Sequence, residues 1–479
     1  MVDVALTEVG AVQRRVRALP SRVVVYLLLA AALFTDQGYG QVWARMVAGL
    51  EHLPGWAPAA PTPGALAQAR RRIGVAPLRA LFDLLRGPAA GVSMNGVRWR
   101  GRLMCAIDGT ILGCPDTPAN LTVYRPGGSG RGATGYPLVR VLTLVACGTR
   151  TIIDATFGTD RTGEIGYAHR LLGAMHGGMI VLADRNFAAR DLLVAIADTG
   201  ADLLVRVKMG RNLPVCRRLG DHSYLSRIGA VEVRVITATI TVATEHGHRS
   251  QSYRLITTVV DPACPPRDIV ALYHQRWEIE TTYFELKSTL LSGRVLRART
   301  PSGVAQEIYA LLIAYQALRI AISDAVLTRP DIDPDRASFS IALHAARDQL
   351  IAAAGVLTDT TLTGKVDLVG ALGRDVLDHL MPARRCRSNP RVVKRAISVH
   401  AASAPPAAGG VRPAAAVRHR RAVRELPRPL RGQRRHGTRR IRAESRPAHG
   451  DQEPVRPDQP LPAEPQHRAR PVGELPGGA

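Results

Sequence analysis

The chain has 479 residues, a formal net charge of +25 and a sequence pI near 10.9. This length allows two or three domains, and the charge indicates a polyanionic partner, of which nucleic acid is the simplest. The six cysteines form no C-x-x-C pair, which argues against a zinc site or a disulfide scaffold and favours a reducing cytoplasm. The apolar run at 23–34 is too short for a membrane span of about 20 residues, so we expect no membrane anchor.

Residues 1–95 are predicted to form a helical N-terminal domain, because apolar residues recur at helical spacing on both sides of a Pro-rich break. Two of its predicted helices, within 65–87, have a layout similar to a helix-turn-helix. Arg70, Arg71 and Arg72 lie in the first of them. They suggest an accessory DNA-binding function, and a charged face on a small helical bundle is an equally good interpretation.

From about residue 100 the sequence predicts an α/β core. Strands are expected at 102–112, 136–148 and 151–158, followed by a helix, a strand, a helix and a strand up to residue 208. Three strands, helix, strand, helix, strand is the order of a ribonuclease-H-like mixed sheet. Asp108 ends the apolar run of the first strand and Asp184 that of the fourth. Either aspartate, considered alone, is better interpreted as a strand-end cap or a turn residue.

The core is predicted in two parts with an insertion between them. Residues 100–210 form its first part, and short alternating strands at 211–264 form a β-rich insertion. The second part, 265–325, contains a helix over 269–291, a stretch without Pro or Gly. Long amphipathic helices continue into a C-terminal helical segment at 326–398.

Residues 399–479 have a different composition, rich in Arg, Pro and Ala. From Arg384 to the end there are 22 Arg and Lys against 7 Asp and Glu, a net charge of +15. Such a segment cannot bury enough apolar surface to order itself, so we expect a disordered basic tail. It is either an arm that binds DNA or the out-of-frame translation of a high-GC gene. The abrupt change in composition favours the frameshift.

The predicted helix at 269–291 carries four functional residue types on one face: Tyr273, Arg276, Glu280 and Lys287. They are separated by two, three and six residues. At roughly 100° per residue they fall within about 60° of arc. A carboxylate, two cations and a phenol on one face suit a site that holds a metal and phosphate groups. The other two glutamates fall on nearly the opposite side (Glu278 and Glu285).

The spacing Y-(2)-R-(3)-E-(6)-K resembles the signature of bacterial insertion-sequence transposases with a DDE catalytic triad. The motifs D-G-T at 108–110 and A-D-R-N-F at 183–187 look like the first and second acidic motifs of that family. The resemblance implies a ribonuclease-H-like fold and makes Asp108, Asp184 and Glu280 the catalytic, metal-binding acids. Residues expected to contact DNA phosphates follow from the same motifs (Tyr273, Arg276, Lys287 and Arg185).

The expected cofactor is Mg²⁺, as two ions, with Mn²⁺ as a substitute. Phosphodiester cleavage needs an activated nucleophile and a stabilised leaving oxygen, and two metal ions supply both. Carboxylates suit Mg²⁺ because it is a hard ion that prefers oxygen. Asp108 is expected to bridge the ions, with Asp184 and Glu280 each completing one of them.

The resemblance also implies the partners. They are the terminal inverted repeats of the element and the target DNA, bound by a homodimer at the bacterial nucleoid. Better-known relatives hold a flipped base on a Trp of the β-rich insertion while a hairpin forms. Here the insertion contains no Trp, and Tyr224 and Tyr253 are its aromatic residues.

Two other functions stay open at this point. One is a different metal-dependent nuclease on the same fold, which would share the acids but would not need the Tyr, Arg and Lys of the signature. The other is a decayed transposase or a basic DNA-binding protein that keeps the fold only. Three acids in the right order favour the active transposase.

Overall fold

A mixed β-sheet forms the centre of the protein and is flanked by helices on both faces. This computed structural model describes residues 1–13, 19–48, 60–89, 94, 96–126, 135–244, 247–329, 331–356 and 368–382. Residues 1–394 group into one compact unit and 395–479 into another. The predicted tail at 399–479 therefore lies outside the described residues.

The strands, in chain order, are β1 (Arg98–Trp99), β2 (Arg102–Gly113), β3 (Arg125–Pro126), β4 (Pro137–Ala146), β5 (Ile152–Thr159), β6 (Met179–Ala183), β7 (Asp202–Val207), β8 (Arg217–Arg218), β9 (Tyr224–Ile228), β10 (Val231–Thr244) and β11 (Gly247–Thr257). The helices are α1 (Val2–Glu8), α2 (Ser21–Leu33), α3 (Tyr39–Val47), α4 (Pro63–Ile73), α5 (Ala76–Leu85), α6 (Pro118–Leu121), α7 (Glu164–Ala168), α8 (Arg190–Asp198), α9 (Pro266–His274), α10 (Trp277–Phe284), α11 (Pro301–Leu327), α12 (Phe339–Val356) and α13 (Leu368–Asp378).

The first part of the sheet has the order β5-β4-β2-β6-β7. Strand β2 is antiparallel to β4 and parallel to β6, and β6 is parallel to β7. Three antiparallel strands followed by two parallel ones, joined by the helical crossovers α7 and α8, make the ribonuclease-H-like sheet that the sequence predicted. The α/β fold class is therefore confirmed.

The β-rich insertion continues this sheet. Strand β11 pairs with β7, and β10, β9 and β8 follow outward. Pairing with β9 covers only the first residues of β10, and pairing with β7 covers only the last residues of β11. Beyond these pairs, the described backbone of β10 and β11 is paired only between these two strands, as a two-stranded ribbon. The insertion thus extends the central sheet at the β7 edge.

The N-terminal helices share a hydrophobic core with the rest of the protein. Helices α2 and α5 pack on α11, and residues of all three belong to the same buried cluster. Within the described part of the chain, α11 is the one helix long and apolar enough to cross a membrane. Its most apolar window is 67% buried inside the protein, as expected of a core helix.

The predicted helix over 269–291 is not one continuous α-helix, so that prediction was wrong in its geometry. Helices α9 and α10 meet at a tight turn, where the amides of Gln275, Arg276 and Glu278 bond to carbonyls three residues back. A π-helical turn, Glu285–Leu290, follows α10. The tight turn overwinds the chain and the wide turn underwinds it, which changes the angles between the signature residues.

One further prediction differs from the structure. The helix expected after the third strand, over 164–175, is α-helical only as α7 and continues as a 3₁₀ helix, His169–Ala174. Strand β2 was predicted at 102–112 and runs past Asp108 to Gly113, because its pairing with β4 continues there. Only the parallel pairing with β6 stops before Asp108, at Ala106.

Candidate active site

Asp108 and Asp184 lie side by side at the edge where the two parallel strands separate. Ala106 of β2 is paired with Leu182 of β6, and each aspartate is two residues further along its strand. Because side chains alternate between the faces of a sheet, both aspartates share the face of Ala106 and Leu182. Those two residues belong to the cluster that also contains the signature helices, so both acids face those helices.

The Asp108 carboxylate is mostly buried and only partly compensated. Its Oδ1 accepts a hydrogen bond of 2.8 Å from the Gly109 amide, and its Oδ2 lies 3.7 Å from the Arg276 guanidinium. Burial raises the pKa of Asp108 to about 6. The Gly109 bond and Arg276 act against this shift, whereas the nearby charges of Asp184 and Glu164 add to it. A carboxylate in this state is stabilised by any cation that binds beside it.

Asp184 does act as the strand-end cap that the sequence allowed. It precedes the 3₁₀ turn Arg185–Phe187, and its Oδ1 accepts a hydrogen bond of 2.7 Å from the Asn186 amide. Its Oδ2 has no hydrogen-bond partner among the described residues. The cap fixes the direction of the side chain and leaves one oxygen for a further ligand. Arg185, the next residue, is exposed.

Arg276 lies between the acids of the sheet and Glu280. Its Nη2 is 3.0 Å from Glu280 Oε1, and its guanidinium also stacks over the Trp277 ring at 4.8 Å. Its side chain is only 8% exposed. Glu280 is 39% exposed, which leaves its other oxygen facing solvent. Arg276 is predicted to contact a DNA phosphate. In this arrangement it is buried, and its charge neutralises Asp108 and Glu280, two of the three candidate acids.

The other two signature residues differ in their surroundings. Tyr273 is 7% exposed and lies in the hydrophobic core, where burial raises its pKa to about 12. Lys287 lies in the π-helical turn, and its Nζ is 3.3 Å from the Thr110 hydroxyl, two residues beyond Asp108. Lys287 thus brings a positive charge to β2 beside Asp108. The centre of the Tyr273 ring lies 6.0 Å from the guanidinium carbon of Arg276.

Two groups that position the site were missed in the sequence. The buried Tyr283 hydroxyl donates a hydrogen bond of 2.5 Å to the Asp108 carbonyl oxygen. On the opposite side of the signature helices, the buried Arg150 lies 2.7 Å from Glu278 and 3.4 Å from Glu285. The prediction that both glutamates point away from the active face is correct. In the sequence, Tyr283 cannot be distinguished from other aromatic residues of the core, and Arg150 lies in a turn that is distant from the helix. No sequence pattern therefore predicts that either residue positions the site.

The triple arginine of α4 is largely engaged within the protein. The Arg70 guanidinium stacks on the Tyr39 ring at 4.1 Å, and Arg72 donates a hydrogen bond of 2.7 Å to the Leu19 carbonyl. Arg71 is exposed. The charged-face interpretation accounts for Arg70 and Arg72, and a DNA contact at this helix stays a prediction.

The three acids suit a hard divalent ion by donor type. Each has one oxygen that is unbonded or held only loosely, and carboxylate oxygens are the ligands that Mg²⁺ prefers. Among the described residues, no three metal-binding side chains converge in this arrangement. In this arrangement the Arg276 guanidinium lies between Asp108 and Glu280.

Comparison with known proteins identifies the family. Residues 1–83 match the model of the Insertion element 4 transposase N-terminal domain, and residues 99–317 match that of the Transposase DDE domain. The chain is 28% identical over 416 residues to Transposase InsG for insertion sequence element IS4 of Escherichia coli K12, covering 82% of this chain and 89% of that protein. It is 29% identical over 139 residues to Putative transposase InsZ of the same organism, covering 29% of this chain and 46% of that protein.

A solved structure, the piggyBac transposase synaptic complex with hairpin DNA, aligns with 81% of this chain and 83% of its own. Its identity of 12% and TM-score of 0.39 are too low to carry an argument. The two family models cover adjoining parts of the chain, and the alignment to the IS4 transposase covers 82% of it. The chain belongs to the IS4 family of insertion-sequence DDE transposases.

Proposed function

We propose that Asp108, Asp184 and Glu280 hold two Mg²⁺ ions, with Mn²⁺ as a substitute, for cleavage and strand transfer at the ends of an insertion sequence. The observation that carries the proposal is the common row of Asp108 and Asp184, which faces Glu280 across the Arg276 guanidinium. When bound, the metal ions would activate the attacking oxygen and stabilise the leaving oxygen. The raised pKa of Asp108 supports a cation beside it.

The residues of the chain itself bind and orient the DNA. Lys287, held at Thr110, places a positive charge beside Asp108, and the exposed Arg185 places another beside Asp184. A phosphodiester between them would contact both cations, which fixes the phosphorus in front of the acids. Arg276 must leave Asp108 and Glu280 as metal and DNA enter, and its freed guanidinium is then available to the phosphate.

The finer assignments follow from the family and the charge. The DNA partners are the terminal inverted repeats of the element and its target, and the working form is a homodimer at the nucleoid in the bacterial cytoplasm. The positive charge of the chain supports a DNA partner, because neutralising phosphates releases counterions. An active transposase is favoured over a decayed one because all three acids and all four signature residues are present.

The test measures strand cleavage by three variants, Asp108→Asn, Asp184→Asn and Glu280→Gln, in the presence of Mg²⁺. The substrate is a duplex of the element's inverted repeat, whose sequence is read from the DNA that flanks the gene. Each substitution keeps the shape of the side chain and removes a metal ligand, so cleavage should fall by a factor of at least about 10³. Binding of the same duplex should change little. Asp198→Asn, at the exposed end of α8, is the control and should cleave normally.

Full cleavage by any of the three variants would reject the assignment.

Lys287→Ala tests the phosphate contact separately. It should lower the slope of log binding constant against log salt by about one, since one counterion fewer is released. Thr110→Val removes the same hydrogen bond without a charge and should leave that slope unchanged.

A further inference from the structure

Arg206 extends the row of the two candidate aspartates onto a third strand. Leu182 of β6 pairs with Leu204 of β7, and the pairing continues to Ala183 and Val205. Asp184 and Arg206 are the next residues on these strands. Asp108, Asp184 and Arg206 therefore lie in neighbouring positions across β2, β6 and β7, and all three face the signature helices.

The Arg206 side chain is supported by an aromatic ring of the β-rich insertion. Its guanidinium carbon lies 4.0 Å from the centre of the Tyr253 ring. Both side chains are half-buried, at the point where β11 joins β7. Among the described residues, the Arg206 guanidinium has no hydrogen bond and no ion pair. Stacking occupies the face of a guanidinium and leaves its N–H groups, which point outward from its edge, able to donate.

The charges around Arg206 suit an anionic ligand. A half-buried guanidinium beside the acidic row has its N–H edge unpaired, and such a cation binds most strongly to a bidentate anion such as a phosphodiester. Arg206 is also close enough to Tyr273 to oppose the effect of burial on the pKa of that phenol. It therefore faces the same space as the signature helix.

We propose that Arg206, positioned by Tyr253, binds a DNA backbone phosphate next to the one that is cleaved. This inference rests on the proposed function, because it takes Asp108 and Asp184 as the point where the DNA is cut. It assigns Tyr253 a positioning role, because one face of its ring is occupied by the Arg206 guanidinium. The β-rich insertion thus completes the cation set of the catalytic sheet.

The main test uses Arg206→Gln with the inverted-repeat duplex. Affinity should fall roughly 10- to 100-fold, as expected for one charge-assisted hydrogen-bonded contact. The slope of log binding constant against log salt should fall by about one. Tyr253→Leu should weaken binding in the same direction, whereas Tyr253→Phe keeps the ring and should bind like the parent. Arg206→Lys keeps the charge without the planar fork and should preserve the salt slope with a lower affinity.

Arg170→Gln is the matched control. Arg170 is exposed and also stacks on a tyrosine, with its guanidinium 4.9 Å from the Tyr167 ring. Tyr167 belongs to the hydrophobic cluster on the other face of the sheet. Like Arg206 on Tyr253, Arg170 is an arginine stacked on a tyrosine, but this pair lies on the sheet face opposite the acids. Arg170→Gln should therefore change neither the DNA affinity nor the slope of log binding constant against log salt.

A second measurement tests the contact in the parent protein. Neutral methylphosphonate linkages are placed one at a time around the cleavage point. One position should weaken the parent and leave Arg206→Gln unaffected. If Arg206→Gln matches Arg170→Gln in affinity and slope, or if every methylphosphonate affects parent and variant equally, the inference is wrong. Cleavage by Asp184→Asn would instead reject the proposed function itself.

Discussion

The Tyr283 hydroxyl joins helix α10 to strand β2, because it lies 2.5 Å from the main-chain oxygen of Asp108 and 2.9 Å from the Thr143 hydroxyl. Asp108 and Thr143 are themselves paired across β2 and β4. One buried phenol of α10 thus holds both strands at the height of the first acid. The distance between Glu280, on the same helix, and Asp108 depends on this bond.

Tyr283→Phe should therefore affect catalysis more than it affects the fold. Loss of the hydroxyl leaves the Asp108 carbonyl without its side-chain donor and the Thr143 hydroxyl without its acceptor, and we expect the free energy of unfolding to fall by about 1–3 kcal/mol. Cleavage of the inverted-repeat duplex should fall at least tenfold, because an acid displaced by a fraction of an ångström binds metal and phosphate poorly. Chemical denaturation and a cleavage assay measure the two effects.

Tyr167→Phe provides the comparison. Its hydroxyl donates a hydrogen bond of 2.8 Å to the Thr159 carbonyl on the other side of the sheet. This variant should lose a similar free energy of unfolding and keep its cleavage rate. Equal losses of cleavage in both variants would show that Tyr283 contributes only to stability.

Asp108→Asn should make the metal-free protein more stable at neutral pH. The pKa of Asp108 is raised from 3.8 to about 6, so the folded protein holds this proton more tightly than the unfolded chain does. Stability should therefore fall as pH rises from about 4 to about 6 and stay lower above that, by about 3 kcal/mol. Asparagine carries no charge and removes this penalty.

The check is urea denaturation of parent and variant in EDTA between pH 4 and 8. The stability advantage of Asp108→Asn should be largest above pH 6 and should shrink toward pH 4, where the parent carboxyl is protonated in the folded protein and about half protonated in the unfolded chain. Added Mg²⁺ should stabilise the parent at pH 7.5 and leave Asp108→Asn unchanged. A variant that is less stable than the parent at every pH would contradict the burial argument.

The elements could be predicted from the sequence because each rests on a local pattern. The apolar runs before Asp108 and Asp184 are long enough to indicate buried strands, and the spacing of Glu280 within its helix is visible without a fold. The ribonuclease-H-like fold followed from the succession of strands and helices. The part of the candidate site that could be proposed in this way is the set of three acids.

What the sequence does not show is how the helix is wound and what holds it. The overwound turn at Arg276 and the π-helical turn at Glu285 adjoin glutamates that are held by Arg150 and Arg319, two buried residues distant in the chain. Periodicity assumes one angle per residue throughout, so it cannot predict a change of winding. The burial of Arg276 between two acids is a tertiary fact of the same kind.

Arg150→Met should strongly destabilise the protein. The Arg150 side chain is 3% exposed and contacts the carboxylates of Glu278, Glu285 and Asp335. Removing the cation takes a buried ion-pair partner from Glu278 and from Glu285, of which Glu285 keeps Arg319, and breaking a buried pair costs about 3–5 kcal/mol. Because two of these acids belong to the signature segment, cleavage should also be lost. Thermal unfolding is the measurement.

Arg329→Met is the control for this prediction. Arg329 pairs with Asp331 at 3.1 Å, and both side chains are more than half exposed. Exposed pairs of this type contribute little, so the melting temperature should not change measurably. An equally small change for Arg150→Met would show that the buried network does not hold the signature helix.

Arg276→Gln should strengthen the binding of Mg²⁺ or Mn²⁺ to the protein without DNA. The Arg276 guanidinium lies 3.0 Å from Glu280 and 3.7 Å from Asp108, so it competes with a metal ion for two of the three acids. A positive charge about 4 Å from a bound cation costs about 1 kcal/mol in water and more in a partly buried site. Replacing it with a neutral side chain should raise the metal affinity roughly fivefold or more.

Arg276→Lys keeps the competing charge and should bind metal like the parent. Isothermal titration calorimetry in the absence of DNA measures the metal affinity of the parent and both variants. If Arg276→Gln binds metal no more tightly than Arg276→Lys, the guanidinium does not compete with the metal ion for these acids.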